Sequence, residues 1–350
     1  MKKIVFTGGG SAGHVLPNLA LIEELLSDGK TEIYYIGSNG IEKGIAKEWK
    51  LPYTEITPPK LVRGGGFAGL KRNLRIPLEF RNAKKQAEKG LRLIQPDLVF
   101  SKGGYVALPV IAAAKKLKIP CLAHESDYSA GLANRLSARA CKTVFTSFPE
   151  TAKTLPHGKF SGAPLRRSIF NTAKAEAKKA MGIPFQSTVL LIFGGGSGSK
   201  SINDAVRNHL KELTEKYFIL HVCGKGNLVE NTYKNYRQFE FISDMGRAYA
   251  CSDLILSRSG AGAVFEITAL KKPGLFVPLE GQTRGDQWEN AEYFRQKGLC
   301  HILPQSRLSE LVSALDKVNT DEGLKERLAH ANYPSGNGII LRDIYKILGI

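Results

Sequence analysis

A chain of 350 residues, 43% of them hydrophobic, is long enough for two domains with cores of their own, and none of its apolar runs reaches the length of a membrane-spanning helix. The five cysteines, Cys121, Cys141, Cys223, Cys251 and Cys300, are scattered without a Cys-x-x-Cys pair and read as reduced, buried small residues of a cytoplasmic protein. The net charge of +18 asks for an anionic partner, and nucleic acid, anionic lipid and phosphorylated substrates all qualify.

The opening Met1-Lys2-Lys3-Ile4-Val5 runs straight into a strand, so no signal peptide is expected. Residues 3–7 are β-branched and apolar and read as a buried parallel strand. The loop Gly8-Gly9-Gly10-Ser11-Ala12-Gly13-His14 follows, and a helix is expected over 15–26 with Pro17 in its first turn, where a missing N–H costs nothing. Glycines let such a turn run tight, and the free N–H groups of the new helix face an anion, most simply a phosphate or diphosphate. Further strands are expected at 32–36, 53–56, 97–101, 120–124 and 142–146, with a helix over 106–117. That alternation predicts a parallel sheet with helical crossovers, the doubly wound α/β class.

Near Gly162-Ala163-Pro164 the pattern resets. A helix over 173–181 and an apolar strand over 188–193 lead into a second glycine-rich loop, Gly194-Gly195-Gly196-Ser197-Gly198-Ser199, and another helix. Strands follow at 218–222, 239–242, 253–257 and 274–277. The two halves each begin with a strand and a phosphate-type loop, which predicts two similar domains facing each other across a cleft. A last helix at about 339–348 is free, on sequence grounds, to cross back onto the first.

Five stretches carry chemistry. In the second half, Ser257-Arg258-Ser259-Gly260-Ala261-Gly262-Ala263 opens a helix after a strand, and Glu266 lies where a carboxylate accepts from ribose hydroxyls, although an acidic residue there also simply balances the helix dipole. Asp286-Gln287-Trp288-Glu289-Asn290 follows a strand end, and its amides suit sugar hydroxyls as well as a solvated turn. In the first half, Ser101-Lys102-Gly103-Gly104-Tyr105 and His124-Glu125-Ser126-Asp127 follow successive strands. His14, His124, Glu125 and Asp127 are therefore expected to converge on one crevice suited to general-base chemistry. Finally, from Lys60 to Arg92 ten Lys or Arg stand against only Glu79 and Glu88. Here Leu61, Val62, Phe67, Leu70, Leu74, Ile76, Leu78 and Phe80 interleave with Lys71, Arg72, Arg75, Arg81, Lys84 and Lys85, and Gly64-Gly65-Gly66 offers a mobile loop beside them. The stretch reads either as a basic helix packing one face on the core or as an apolar patch ringed by cations on an anionic membrane. Nucleic acid is disfavoured, since no recognised binding motif is present.

Taken together, these residues resemble the MurG family, the glycosyltransferases that make lipid II for peptidoglycan. The first loop with His14 and Pro17, Gly103-Gly104-Tyr105-Val106, His124-Glu125, Ala130-Gly131-Leu132, Gly162 with Pro164 and Arg166, Gly195-Gly196-Ser197, Arg258-Ser259-Gly260-Ala261, Glu266-Ile267 and Phe276-Val277-Pro278 match in order along nearly the whole chain. The resemblance implies a GT-B fold of two Rossmann-like domains, an acceptor and membrane domain over 1–163 joined by a helix over 337–350, and a UDP-sugar domain over 164–336. It implies an inverting transfer of N-acetylglucosamine from UDP-GlcNAc to the C4 hydroxyl of the muramoyl sugar of lipid I, without metal or other cofactor, by a peripheral protein at the cytoplasmic face of the bacterial membrane.

By the same resemblance, Ser11, Ala12, Gly13 and His14 hold the acceptor diphosphate. Arg166, Ser197, the Ile242 backbone and Ala261, Gly262, Ala263 and Glu266 hold UDP. Asp286, Gln287 and Asn290 attend the donor sugar or β-phosphate, His14 or Glu125 takes the proton, and the membrane patch falls on Leu70, Arg72, Leu74, Arg75, Leu78, Arg81, Lys84 and Lys85. The chain departs from the family where Ser126-Asp127 replaces Gln-Asn, Ala163 replaces Asn, Ala263 replaces a hydroxyl residue, Gly198-Ser199-Lys200 replaces Gln-Gly-Ala and Ser11-Ala12 replaces Thr-Gly. Asp127 stands where the family's Asn touches the donor sugar, so another UDP-sugar, another lipid acceptor, or a binding protein without turnover stay open on sequence grounds.

Overall fold

The computed structural model describes residues 1–62, 66–281 and 285–350, and the chain divides into two compact units, Met1–Arg166 with Ser335–Ile350, and Arg167–Pro334. In the first unit β1 (Lys2–Thr7), β2 (Thr31–Gly37), β3 (Tyr53–Glu55), β4 (Leu98–Ser101), β5 (Cys121–Glu125), β6 (Thr143–Thr146) and β7 (Gly158–Phe160) form one parallel sheet in the order β3-β2-β1-β4-β5-β6-β7. In the second, β8 (Val189–Phe193), β9 (Phe218–Val222), β10 (Tyr236–Phe239), β11 (Leu254–Ser257), β12 (Gly274–Phe276) and β13 (His301–Ile302) run in the order β10-β9-β8-β11-β12-β13.

The winding is the same twice. The first strand of each sheet lies between the second and the fourth, so the crossovers leave it in opposite directions and open a crevice at the carboxyl ends of the strands. In the first unit that crevice lies between the segments following β1 and β4; in the second, between those following β8 and β11. Ile4 of β1 pairs with Ile33 on one side and Leu98 on the other, and Leu191 of β8 pairs with Leu220 and Ile255. These strands are buried on both faces, which is why they read as unbroken apolar runs.

The C-terminal helix Asn337–Leu348 returns to the first unit. Its Ile340, Leu341, Ile344 and Leu348 join Ile4, Phe6, Leu19 and Leu25 in one core, and Asn337 Nδ2 donates to the carbonyl oxygens of Ala20 and Leu165. A Lys159–Asp343 ion pair of 2.7 Å and a Tyr345–Asp28 hydrogen bond fasten its outer face.

Several elements differ from the sequence expectation. The helix expected from residue 15 is preceded by a 3-10 turn, Ala12–His14, and begins at Leu16. The strand expected at 239–242 is Tyr236–Phe239, because it is Tyr236 that buries, and Ile242 falls in the loop beyond. The short outer strand β7 has no apolar run to announce it. Gly64 and Gly65, and the side chain of Phe67, lie outside the described residues.

Candidate active site

The first glycine-rich turn is set by what lies behind it. Tyr35 of β2 donates its hydroxyl to the Gly8 carbonyl at 2.7 Å, and Asn18 Nδ2 donates both to the Thr7 carbonyl and to the Tyr35 hydroxyl, each at 3.2 Å. Glu42, fully buried in the helix Ile41–Glu48, accepts the N–H of Gly10 at 3.1 Å on one carboxylate oxygen. On the other it accepts the Ser38 N–H at 2.9 Å and the Ser38 hydroxyl at 2.5 Å. Burial pushes the Tyr35 phenol far above its ordinary range and keeps it a donor. None of these residues stands out in the sequence; the available signal was position, since Tyr35 and Glu42 flank the carboxyl end of the strand beside β1.

The segment after β4 closes on this turn. A methyl group on Gly10 would come within 2.4 Å of the Tyr105 ring, so only glycine admits that ring. Gly104, at φ +77°, holds its Cα so near the His14 ring that a Cβ would stand 3.0 Å from Cδ2. Thus Gly104 and Tyr105 seat the turn that carries Ser11, Ala12, Gly13 and His14. Ser11 and Gly13 are exposed and Ala12 and His14 half-buried, which leaves the turn open to a ligand.

The polar cluster at the end of β5 divides. His124 belongs to the core: it is fully buried, its Nε2 lies 3.2 Å from the Gly162 carbonyl, and burial, with the Lys102 charge adding to it, holds its pKa well below the usual imidazole range. The expectation that it joins the crevice is therefore corrected; in a strand buried on both faces a histidine beside a glutamate still counts as core. Glu125 is also buried, but its carboxylate accepts the N–H of Asp127 at 3.0 Å, the N–H of Gly131 at 2.7 Å and Asn134 Nδ2 at 2.9 Å. It folds the loop 126–131 around itself, and Asp127 sits half-buried on that loop.

In the second unit, β8 runs into the loop holding the exposed Ser197, and the helix Lys200–Asn208 begins three residues later with Ser199 Oγ capping Ile202. After β11, Arg258 ties the crevice wall together. Its Nη1 donates to the Val277 and Pro278 carbonyls at 3.0 and 3.1 Å, and its Nη2 to Ser201 Oγ at 2.8 Å and Gln305 Oε1 at 2.5 Å. The helix Ala261–Ala269 starts with small residues, Ala261, Gly262 and Ala263, and carries Glu266, whose Oε2 accepts the Tyr249 hydroxyl at 2.9 Å. The helix Asp286–Gln296 brings Gln287 and Asn290 to the same edge: Gln287 Oε1 accepts the Leu279 N–H at 3.0 Å, and the buried Asn290 donates to the Ser259 carbonyl at 3.3 Å. Ile242 is half-buried in the loop after β10, and Arg166 half-buried at the end of the first unit's main segment.

The basic stretch folds as the helices Gly66–Asn73 and Ile76–Ile94. Leu70, Leu74 and Leu78 are 61%, 74% and 64% exposed, with Arg72, Arg75, Arg81 and Lys85 exposed and Lys84 half-buried around them. Ala83, Ala87 and Leu91, further along the second helix, face the core instead. Among the described residues no helix is long and apolar enough to cross a membrane.

Two Rossmann-like units, each with a glycine-rich turn at its switch point, make up the GT-B architecture, and the family that the sequence matches makes the chain a glycosyltransferase. The sequence matches the glycosyltransferase family 28 N-terminal domain over residues 4–146 and the family 28 C-terminal domain over residues 189–337. The chain belongs to the MurG family. It is 41% identical over 327 residues, 91% of each chain, to the UDP-N-acetylglucosamine--N-acetylmuramyl-(pentapeptide) pyrophosphoryl-undecaprenol N-acetylglucosamine transferase of Lachnoclostridium phytofermentans. The protein of that name from Clostridium botulinum strain Langeland is 43% identical over 317 residues, covering 89% of this chain and 88% of its own. The crystal structure of Acinetobacter baumannii MurG superposes with a TM-score of 0.74 at 26% identity, covering 99% of this chain and all of that one.

Proposed function

We infer that this chain transfers N-acetylglucosamine from UDP-GlcNAc to the C4 hydroxyl of the muramoyl sugar of lipid I, yielding lipid II for peptidoglycan. The observation that carries the reading is relatedness over about nine-tenths of the chain to transferases named for that reaction. In the site we assign, Ser11, Ala12 and Gly13 hold the acceptor diphosphate and His14 takes the proton from the acceptor hydroxyl. That oxygen attacks the anomeric carbon, the bond to the UDP oxygen breaks, and the configuration inverts. Glu125 is the rival base, but its oxygens already accept N–H groups from Asp127, Gly131 and Asn134, which supports an anchoring role and leaves the proton to His14.

On the donor side, Arg166, Ser197, the Ile242 backbone and Ala261, Gly262 and Ala263 hold UDP, with Glu266 on the ribose. Asp127, Asp286, Gln287 and Asn290 attend the sugar and β-phosphate. The amino ends of the helices Lys200–Asn208 and Ala261–Ala269 meet the charge that grows on the leaving diphosphate. Leu70, Leu74 and Leu78, ringed by Arg72, Arg75, Arg81, Lys84 and Lys85, support peripheral attachment to the anionic cytoplasmic face of the bacterial membrane.

The test is UDP release from UDP-GlcNAc in the presence of a short-chain lipid I analogue. Release confined to UDP-glucose would overturn the donor assignment, and UDP binding without any release would overturn turnover itself.

A further inference from the structure

The helix Lys200–Asn208 opens directly after the second glycine-rich turn, and one of its residues reaches back to the strand beside that turn. Asn203 is buried and donates its Nδ2 to the Cys223 carbonyl at 3.0 Å, just past the end of β9. A carbonyl only accepts, so the amide oxygen of Asn203 faces the other way, where it lies 3.0 Å from His221 Nε2. That order puts the imidazole proton on Nε2 and leaves Nδ1 to accept the hydroxyl of Tyr236, at 2.8 Å. Tyr236, His221 and Asn203 thus form one buried hydrogen-bonded line, from β10 through β9 into the helix.

The Cys223 carbonyl is where this line meets the turn. Gly198 packs on it so closely that a methyl group there would overlap the carbonyl oxygen, and Gly224 packs on the Ser197 carbonyl in the same way. On the other side, towards β11, Ser201 Oγ of the same helix accepts Arg258 Nη2 at 2.8 Å. We propose that Asn203 and His221 are positioning residues of the donor half. They hold residues 223–224 against the turn 194–199, so that Ser197 and the free N–H groups of the helix Lys200–Asn208 meet the UDP diphosphate already in place, without a cost of ordering on binding. Neither side chain touches substrate. The proposal rests on the assignment of UDP to that turn.

UDP titration of the full chain tests it on Asn203→Leu, His221→Leu and His221→Gln, with melting temperatures and steady-state kinetics alongside. Asn203→Leu removes both bonds at similar volume. It is expected to weaken UDP binding about tenfold and to raise the KM for UDP-GlcNAc by the same factor, with a smaller change in kcat and a native acceptor KM. His221→Leu is expected to lose less, about threefold, because Asn203 keeps its bond to Cys223. His221→Gln returns an Nε2–H donor to Asn203 and is expected to bind UDP as the native chain does, whatever its melting temperature. A network that serves stability alone lowers the melting temperature and leaves the UDP affinity of the folded protein untouched; that result in Asn203→Leu would overturn the proposal. So would His221→Gln binding UDP no better than His221→Leu, and this second comparison decides the matter should Asn203→Leu give no folded protein. A native chain that fails to bind UDP would overturn the donor assignment itself and the proposal with it. A native chain that binds UDP, beside Leu variants that bind it equally well, would overturn the proposal alone.

Discussion

The carboxylate of Glu42 reaches beneath the first glycine-rich turn and accepts the N–H of Gly10 at 3.1 Å. Because the same group also takes the N–H and hydroxyl of Ser38, one buried side chain fixes the turn after β1 to the end of β2. Glu42→Ala strands these donors in the interior, where each unmet group costs about 1–3 kcal/mol. The variant is expected to melt several degrees below the native chain and to bind the acceptor more weakly, with UDP affinity unchanged. Thermal melts and UDP titration check this; a native melting curve would show that the turn holds its shape unaided.

His14 stands against Gly104, and the two are predicted to fail together. His14→Ala is expected to cut turnover by about two orders of magnitude, the reach of a lost general base. Gly104→Ala, which places a methyl group on the imidazole and on the Gly9 carbonyl at a left-handed φ, is expected to lower kcat by displacing the ring. Single-turnover rates measure both, and native turnover in His14→Ala would remove the residue from the chemistry.

His221 makes stability depend on pH. It is buried between the Tyr236 hydroxyl at 2.8 Å and Asn203 Oδ1 at 3.0 Å, and burial, with Arg207 nearby, pushes its pKa from 6.5 down to about 3. Above pH 6.5 the imidazole is neutral folded or unfolded and adds no pH dependence. As the pH falls from 6.5 towards 3, the unfolded chain takes up a proton that the folded chain refuses, so stability is lost at about 1.4 kcal/mol per pH unit. Urea midpoints at pH 7 and pH 5 should show the loss, and His221→Gln should remove about one proton from its slope.

The membrane attachment proposed here divides into two separable contributions. Gln in place of Arg72, Arg75, Arg81, Lys84 and Lys85 removes charges that each contribute about 1 kcal/mol at an anionic surface. Ser in place of Leu70, Leu74 and Leu78 removes the insertion of apolar surface. Vesicle co-sedimentation should show the first set of changes abolishing the preference for anionic over neutral lipid and the second weakening binding to both. Unchanged sedimentation in either set would leave that half of the face as ordinary solvated surface.

Local chemistry made much of this molecule legible. An apolar β-branched run ending in glycines is a buried parallel strand whatever surrounds it, so β1, β8 and β9 and the loops that follow two of them stand out from residue order alone. The same property hid His124, because a strand covered on both faces gives no alternation by which to tell a core histidine from one at the crevice. It also misplaced the strand at 239–242, where Phe239 and Ile242 are apolar but the buried position is Tyr236.

Sequence by itself determined the repeated strand, turn and helix order, the second copy of that order, and the basic apolar stretch, since each depends on neighbours within a few residues. Tertiary structure alone decided that the final helix belongs to the first core and that Glu42 and Tyr35 hold the first turn. Those relationships join residues from different strands and crossovers, and a hydrogen bond or a charge acts through space, so only the folded register brings its two ends together.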